Sequence, residues 1–211
     1  MGIRQQQKAA RRQKILKAAE QLFAQDGVQK TTVDAIAGKA GLAWATVYKY
    51  YSTKDDIVTA VVRPELGKIF LRGEEVIADP PEQPAAAIFA LIKCYTGWRD
   101  NWRDRGLLRA ISSAGMMENS GAVHDLSVWA NTQVQTQIRD LLRVLQMRNR
   151  VPKTVNIADM ALIIYAVFNQ EYQHYITTDG MSAEQVFSQM QRLINTLFEP
   201  WQARDSRRPR S

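Results

Sequence analysis

Residues 31–51, TTVDAIAGKAGLAWATVYKYY, place two short helical patterns on either side of a glycine-centred turn. A helix of about two turns does not recover its nucleation cost in water, so each must be held by side chains packed on something else. Residues 8–26, KAARRQKILKAAEQLFAQD, supply that support. There Ile15, Ala18, Ala19, Leu22 and Phe23 fall at the i, i+3, i+4, i+7, i+8 spacing of one helix face, and Gly27 reads as a stop. In the segment 44–50, Val47 and then Tyr51 are placed to clamp the helix inward. Trp44, Ala45, Thr46, Tyr48, Lys49 and Tyr50 are thereby turned outward. A short helix, a glycine turn and a second short helix with a free outer face form a helix-turn-helix, whose second helix fits the major groove of DNA.

The remainder reads as helix as well. Thr31 with Asp34 predicts an N-cap, and Thr53 with Asp56 repeats that signature at the start of a long fourth helix. Pro64 predicts a kink or break in that helix, because proline removes a hydrogen bond and crowds the preceding turn. DPPEQP at 79–84 is a loop, and further helices are expected at about 85–102, 104–113, 121–148, 156–178 and 183–198. Asn156 and Ser182 mark the starts of the last two. No strand alternation of useful length and no internal repeat occurs. The expectation is an all-α protein of about nine helices, divided into residues 1–62, residues 63–200 and a basic tail, 201–211, expected to be disordered.

Charge follows that division. Residues 1–62 hold 10 Lys+Arg against 5 Asp+Glu, whereas residues 64–201 hold 13 against 15. A basic N-terminal unit on a slightly acidic body points to a polyanionic partner for the former. No apolar run has the length of a membrane span, and the basic start MGIRQQQKAARRQK has no apolar segment behind it. A single cysteine, Cys94, fits a reducing cytoplasm. With 2 histidines and no HExxH, Cys-His or glycine-rich phosphate motif, neither catalysis nor a metal or organic cofactor is expected.

Residues 15–61 carry ILKAAEQLF, TTVDAIA, AGLAWATVYKYY and STKDD in order and at fixed spacing. In this they resemble the DNA-binding domain of the TetR family of transcriptional regulators. The resemblance implies phosphate contacts from Thr32, Tyr48, Tyr50 and Lys54 and base contacts from Trp44, Ala45, Thr46 and Lys49. It also implies that the early arm, including Arg11 and Arg12, reaches the minor groove or backbone. Two positions depart from the pattern. Ala43 stands where the family has a serine cap, and Trp44 where it usually has a polar residue. Trp44 has two readings, packing against the domain or touching a thymine methyl or deoxyribose in the groove.

The resemblance further implies that the larger domain binds a small effector and forms a homodimer. On that reading the protein represses transcription from a palindromic DNA operator and is released by ligand. Tyr95, Trp98 and Trp102, with Met116, His124, Trp129, Tyr165, Asn169 and Tyr172, would line a pocket for a largely apolar ligand. The helix 156–178 is apolar on more than one face. Ile163 and Val167, with Met190 and Ile194 from the last helix, are the expected dimer contacts. A helical adaptor that has lost DNA binding is the competing reading, and Ala43 and Trp44 are the residues that favour it.

Overall fold

The computed structural model describes residues 2–96, 112 and 121–205. Eight α-helices and no strand are found among the described residues: α1 (Ile3–Lys30), α2 (Val33–Ala40), α3 (Trp44–Tyr48), α4 (Lys54–Ala78), α5 (Pro84–Thr96), α6 (Ala122–Met147), α7 (Ile157–Thr177) and α8 (Ala183–Asp205). The helix expected at 104–113 lies outside the described residues except for Ser112, as does the end of the tail.

The described residues form two compact units. The first joins residues up to Gly67 with residues 121–129, and the second joins 68–96 with 130–205. In the first unit, Ile15, Ala18, Ala19 and Phe23 of α1 meet Ile36 and Ala37 of α2, Val47 of α3, and Ile57, Val58 and Val62 of α4. Val123 and Leu126 belong to the same buried cluster. In the second unit, α8 packs against α5 and α7. Its inward residues Val186, Met190, Ile194 and Phe198 recur every four positions and are all buried.

Local chemistry corrects several boundaries. Gly27 leaves helical geometry (φ 78°, ψ 159°), yet α1 resumes for one more turn to Lys30. The cap of α2 is Thr32, not Thr31: the Ala35 amide donates to Thr32 Oγ1 at 3.1 Å. Because α2 begins at Val33, Asp34 is one position too early to close a capping box. Thr31 is instead buried, its hydroxyl donating to the Gly27 carbonyl at 2.8 Å. At the end of α2, Gly41 adopts the left-handed conformation (φ 68°, ψ 36°) that a glycine tolerates without a Cβ clash.

The capping box of α4 is present in both directions: the Thr53 amide donates to Asp56 Oδ2 at 2.8 Å and the Asp56 amide to Thr53 Oγ1 at 3.1 Å. Asn156 and Ser182 cap α7 and α8 as their positions suggest. Pro64 does not break α4, which continues to Ala78. The lost bond is one among many in a 25-residue helix, and the buried Val62 and Ile69 anchor it on both sides of the proline.

Candidate nucleic-acid interface and effector core

Helix α3 is shorter than the expected 44–50, closing at Tyr48 after 5 residues. Ala43 offers no side-chain cap, so the first turn rests on its own backbone and on burial. Val47 is fully buried and Tyr51 is 5% exposed, and these two fix the helix to the core. Arg12 Nε reaches the Tyr51 hydroxyl at 3.4 Å, and the guanidinium lies 5.7 Å from the ring centroid.

The opposite side of α3 is open. Trp44 is 58% exposed and Tyr48 44% exposed, so neither ring belongs to the core. They meet edge-to-face with centroids 5.3 Å apart, an arrangement favoured by aromatic quadrupoles. Ala45 and Lys49 are exposed beside them, and Thr46 and Tyr50 are half-buried. Arg11, Arg12 and Thr32 are also exposed.

Lys54 is placed differently from what a purely phosphate-binding residue requires. Its Nζ donates to the carbonyls of Val28 at 3.0 Å and Thr31 at 3.3 Å, joining the start of α4 to the α1–α2 connection. Two of its three ammonium protons are thus engaged within the protein.

Residues 15–61 match the family described as bacterial regulatory proteins, tetR family. The match covers that N-terminal segment alone. A 73-residue stretch is 33% identical to the fatty acid metabolism regulator protein of Bacillus subtilis, covering 35% of this chain and 38% of that one. The chain therefore spans well under two thirds of that relative's length. The fold of a TetR transcription regulator from Haloarcula marismortui is shared at a TM-score of 0.71 and 15% identity, covering 89% of this chain and 96% of that one. FadR from Bacillus subtilis, solved in complex with stearoyl-CoA, superposes at a TM-score of 0.65 and 16% identity, covering 86% of this chain and 96% of that one.

The residues expected to line an effector pocket fall in two groups. Tyr95 and Tyr172 converge on Phe168, each with centroids 5.7 Å from that ring, and Phe70 lies 6.1 Å from Tyr95. Burial pushes both tyrosine hydroxyls well above their ordinary pKa. The Tyr95 hydroxyl donates to Gln137 Oε1 at 2.9 Å, and Gln137 Nε2 donates to the Phe70 carbonyl at 2.7 Å. Tyr165 and Asn169 are half-buried on α7 in the same unit. Burial raises the Tyr165 pKa against a hydrogen bond with Gln135. His124 and Trp129 belong to the first unit, where Arg63 lies 4.6 Å over the Trp129 ring. Trp98, Trp102 and Met116 lie outside the described residues.

Phe70, Gln137 and Phe168 are not singled out as site residues by the sequence, whereas Glu171 is read there as a residue that could meet a charged ligand. The available signal was Gln137, a polar residue in register with the apolar Val134, Ile138 and Leu141. Of the expected dimer contacts, Ile163 is 45% exposed and Val167 half-buried, but Met190 and Ile194 are each 1% exposed in the core of their own unit. The outward apolar residues are Leu162 on α7 and Leu193 on α8, 60% and 41% exposed. Among the described residues no group of three His, Cys, Asp or Glu could hold a metal, and no helix is long and apolar enough to cross a membrane.

Proposed function

We propose that the protein is a homodimeric, sequence-specific repressor that leaves a palindromic operator when a small, largely apolar effector binds its C-terminal unit. The observation that carries this reading is α3, pinned from beneath by Val47 and Tyr51 while Trp44 and Tyr48 remain about half exposed. A soluble domain gains little from two adjacent free rings unless they meet a partner. In the major groove, Trp44 and Ala45 supply apolar contact for thymine methyls and deoxyribose, and Thr46 and Lys49 supply polar contact with base edges. Tyr48, Tyr50 and Thr32 hold phosphates, and Arg11 and Arg12 approach the duplex from α1. Lys54 fixes the α1–α2–α4 junction and directs its remaining proton to a phosphate. Leu162, Ile163 and Leu193 form the apolar contact that pairs two copies. Pairing sets two α3 helices about 34 Å apart, as successive major grooves require.

Effector control rests on the ring cluster of Tyr95, Phe168 and Tyr172 and on the Gln137 bridge from Tyr95 to the backbone of α4. The stearoyl-CoA complex of the similar Bacillus subtilis FadR supports an apolar body for the effector. Because α4 also carries Lys54 and the core residues Ile57 and Val58, a ligand that favours a different setting of α4 alters DNA affinity. Selection of bound sequences from random duplex DNA tests this function. One recovered palindrome supports it; recovery of unrelated sequences with salt-sensitive affinity shows binding without recognition.

A further inference from the structure

Glu171 lies on the inward side of α7, three residues after Phe168, and is 6% exposed. Gln189 of α8 donates its Nε2 hydrogen to Glu171 Oε1 at 2.9 Å, which fixes the carboxylate plane. The second oxygen, Oε2, is buried and has no hydrogen-bond partner. None of the ion pairs among the described residues includes Glu171. A desolvated carboxylate held by one neutral amide is an expensive arrangement, and nearly all buried polar side-chain atoms avoid it.

Glu171 shares its helix with an aromatic cluster, one turn after the buried Phe168. Tyr172, the next residue, stacks on Phe168 at an interplanar angle of 23°, and Tyr95 meets the same Phe168 ring edge-on. A carboxylate without a cationic partner, on the same helix as a cluster of aromatic rings, is the chemistry that selects an organic cation, since the carboxylate neutralises the charge and the rings add cation–π attraction. A neutral hydroxyl could complete the hydrogen bond at Oε2, but it would leave the charge unbalanced.

We propose that the effector of this protein is an apolar molecule bearing an ammonium group, which pairs with Glu171 Oε2 while its body lies against Tyr95, Phe168 and Tyr172. This rests on the effector-controlled reading above and narrows its ligand to a chemical class. Oε2 is closed off in the state described here, so the cation gains its pairing only as the surrounding side chains part. That gain belongs to the opened state alone, and such a difference is what lets a ligand shift a conformational equilibrium.

Three ligands with one chain and different heads isolate the claim: decylammonium, decanol and decanoate, each below its micelle-forming concentration. Their binding to the full-length protein is read by calorimetry, and their effect on DNA affinity by anisotropy of a labelled duplex. The wild type is expected to bind decylammonium at least tenfold tighter than decanol, with decanoate weakest. The chain's formal net charge of +7 works against a cation, so such a preference is local to the site. Glu171→Gln keeps the shape and removes the charge. It is expected to cost decylammonium tenfold or more and to change decanol by less than threefold.

Equal binding of the three heads by wild type, binding of none, or an undiminished ammonium preference in Glu171→Gln overturns the proposal. The wild-type comparison decides the matter even if the variant folds poorly. Decylammonium preferred at the site without any change in DNA affinity leaves the cation site standing and removes the effector-controlled reading. Release of DNA by decanol or decanoate with no ammonium preference does the reverse.

Discussion

Gln137 spans the space between Tyr95 and Phe70, accepting from the tyrosine hydroxyl at 2.9 Å and donating to the Phe70 carbonyl at 2.7 Å. Gly73 makes this possible, because a Cβ there would collide with the Gln137 side-chain amide. The amide thus replaces the missing methyl, and its burial at 5% exposure leaves it no other position. Gly73→Ala is expected to eject Gln137 from both bonds and to destabilise the protein by about 1–3 kcal/mol, the cost of stranding buried polar groups. In a Gln137→Ala background the same change is expected to be neutral or to stabilise by up to about 1 kcal/mol, since alanine favours a helix over glycine. Urea unfolding of the four proteins in this cycle measures the coupling, and additivity would contradict the bridge.

Ala43 leaves α3 uncapped. Ala43→Ser is expected to raise stability by about 1 kcal/mol by accepting an amide of the first turn. Thermal unfolding checks this, with an increase in Tm as the expected sign. No change would mean that Val47 and Tyr51 already hold the turn so firmly that the cap adds nothing.

Lys54→Met tests a residue with two proposed tasks. Loss of the bonds to Val28 and Thr31 is expected to cost about 1–2 kcal/mol of stability in the absence of DNA. Loss of a phosphate contact is expected to lower the slope of log K against log salt by about one. A variant of unchanged stability would contradict the structural task, and an unchanged slope the DNA-binding one.

The buried tyrosines give the protein an alkaline limit. Tyr172 and Tyr95 hold their protons above the ordinary value of 10.0 because burial disfavours the phenolate. Above pH 10 the unfolded chain has released protons that the folded one keeps, so their contribution to stability falls as pH rises. Below that pH both states are protonated and these groups add no pH dependence. Tyr172→Phe is expected to flatten the decline above pH 10 by about one proton's worth of slope in urea unfolding. An identical alkaline profile in this variant would remove Tyr172 from the cause.

Most of the N-terminal unit is legible in the residues because short helices depend on a few fixed contacts. The pairing of Val47 with Tyr51 and the left-handed Gly41 follow from spacing and from glycine's tolerance of positive φ. The cap register at Thr31 and Thr32 does not, since both are threonines and only the first turn of α2 chooses between them. Pro64 predicts a kink or a break, and the helix runs on through it to Ala78 with Val62 and Ile69 buried on either side. In α8, Met190 and Ile194 are as apolar as Leu193, so their spacing marks two faces without saying which one its own core covers. Gln137 and Glu171 show the same limit in the second unit. Their importance comes from partners on other helices, Phe70, Tyr95 and Gln189, which no local pattern connects.

Recognition of one DNA sequence by the exposed face of α3, in the context of a dimer, is what the proposed repressor depends on. Its most direct test compares the affinity of the full-length protein for the palindrome recovered by selection with that for a scrambled duplex of equal length, at 0.15 M salt, together with the number of chains bound per duplex. A sequence-specific dimer is expected to give a ratio of about 10³ or more, chains bound in multiples of two, and loss of most of that ratio in Trp44→Ala. A ratio within a few-fold of one, at any stoichiometry, would contradict it.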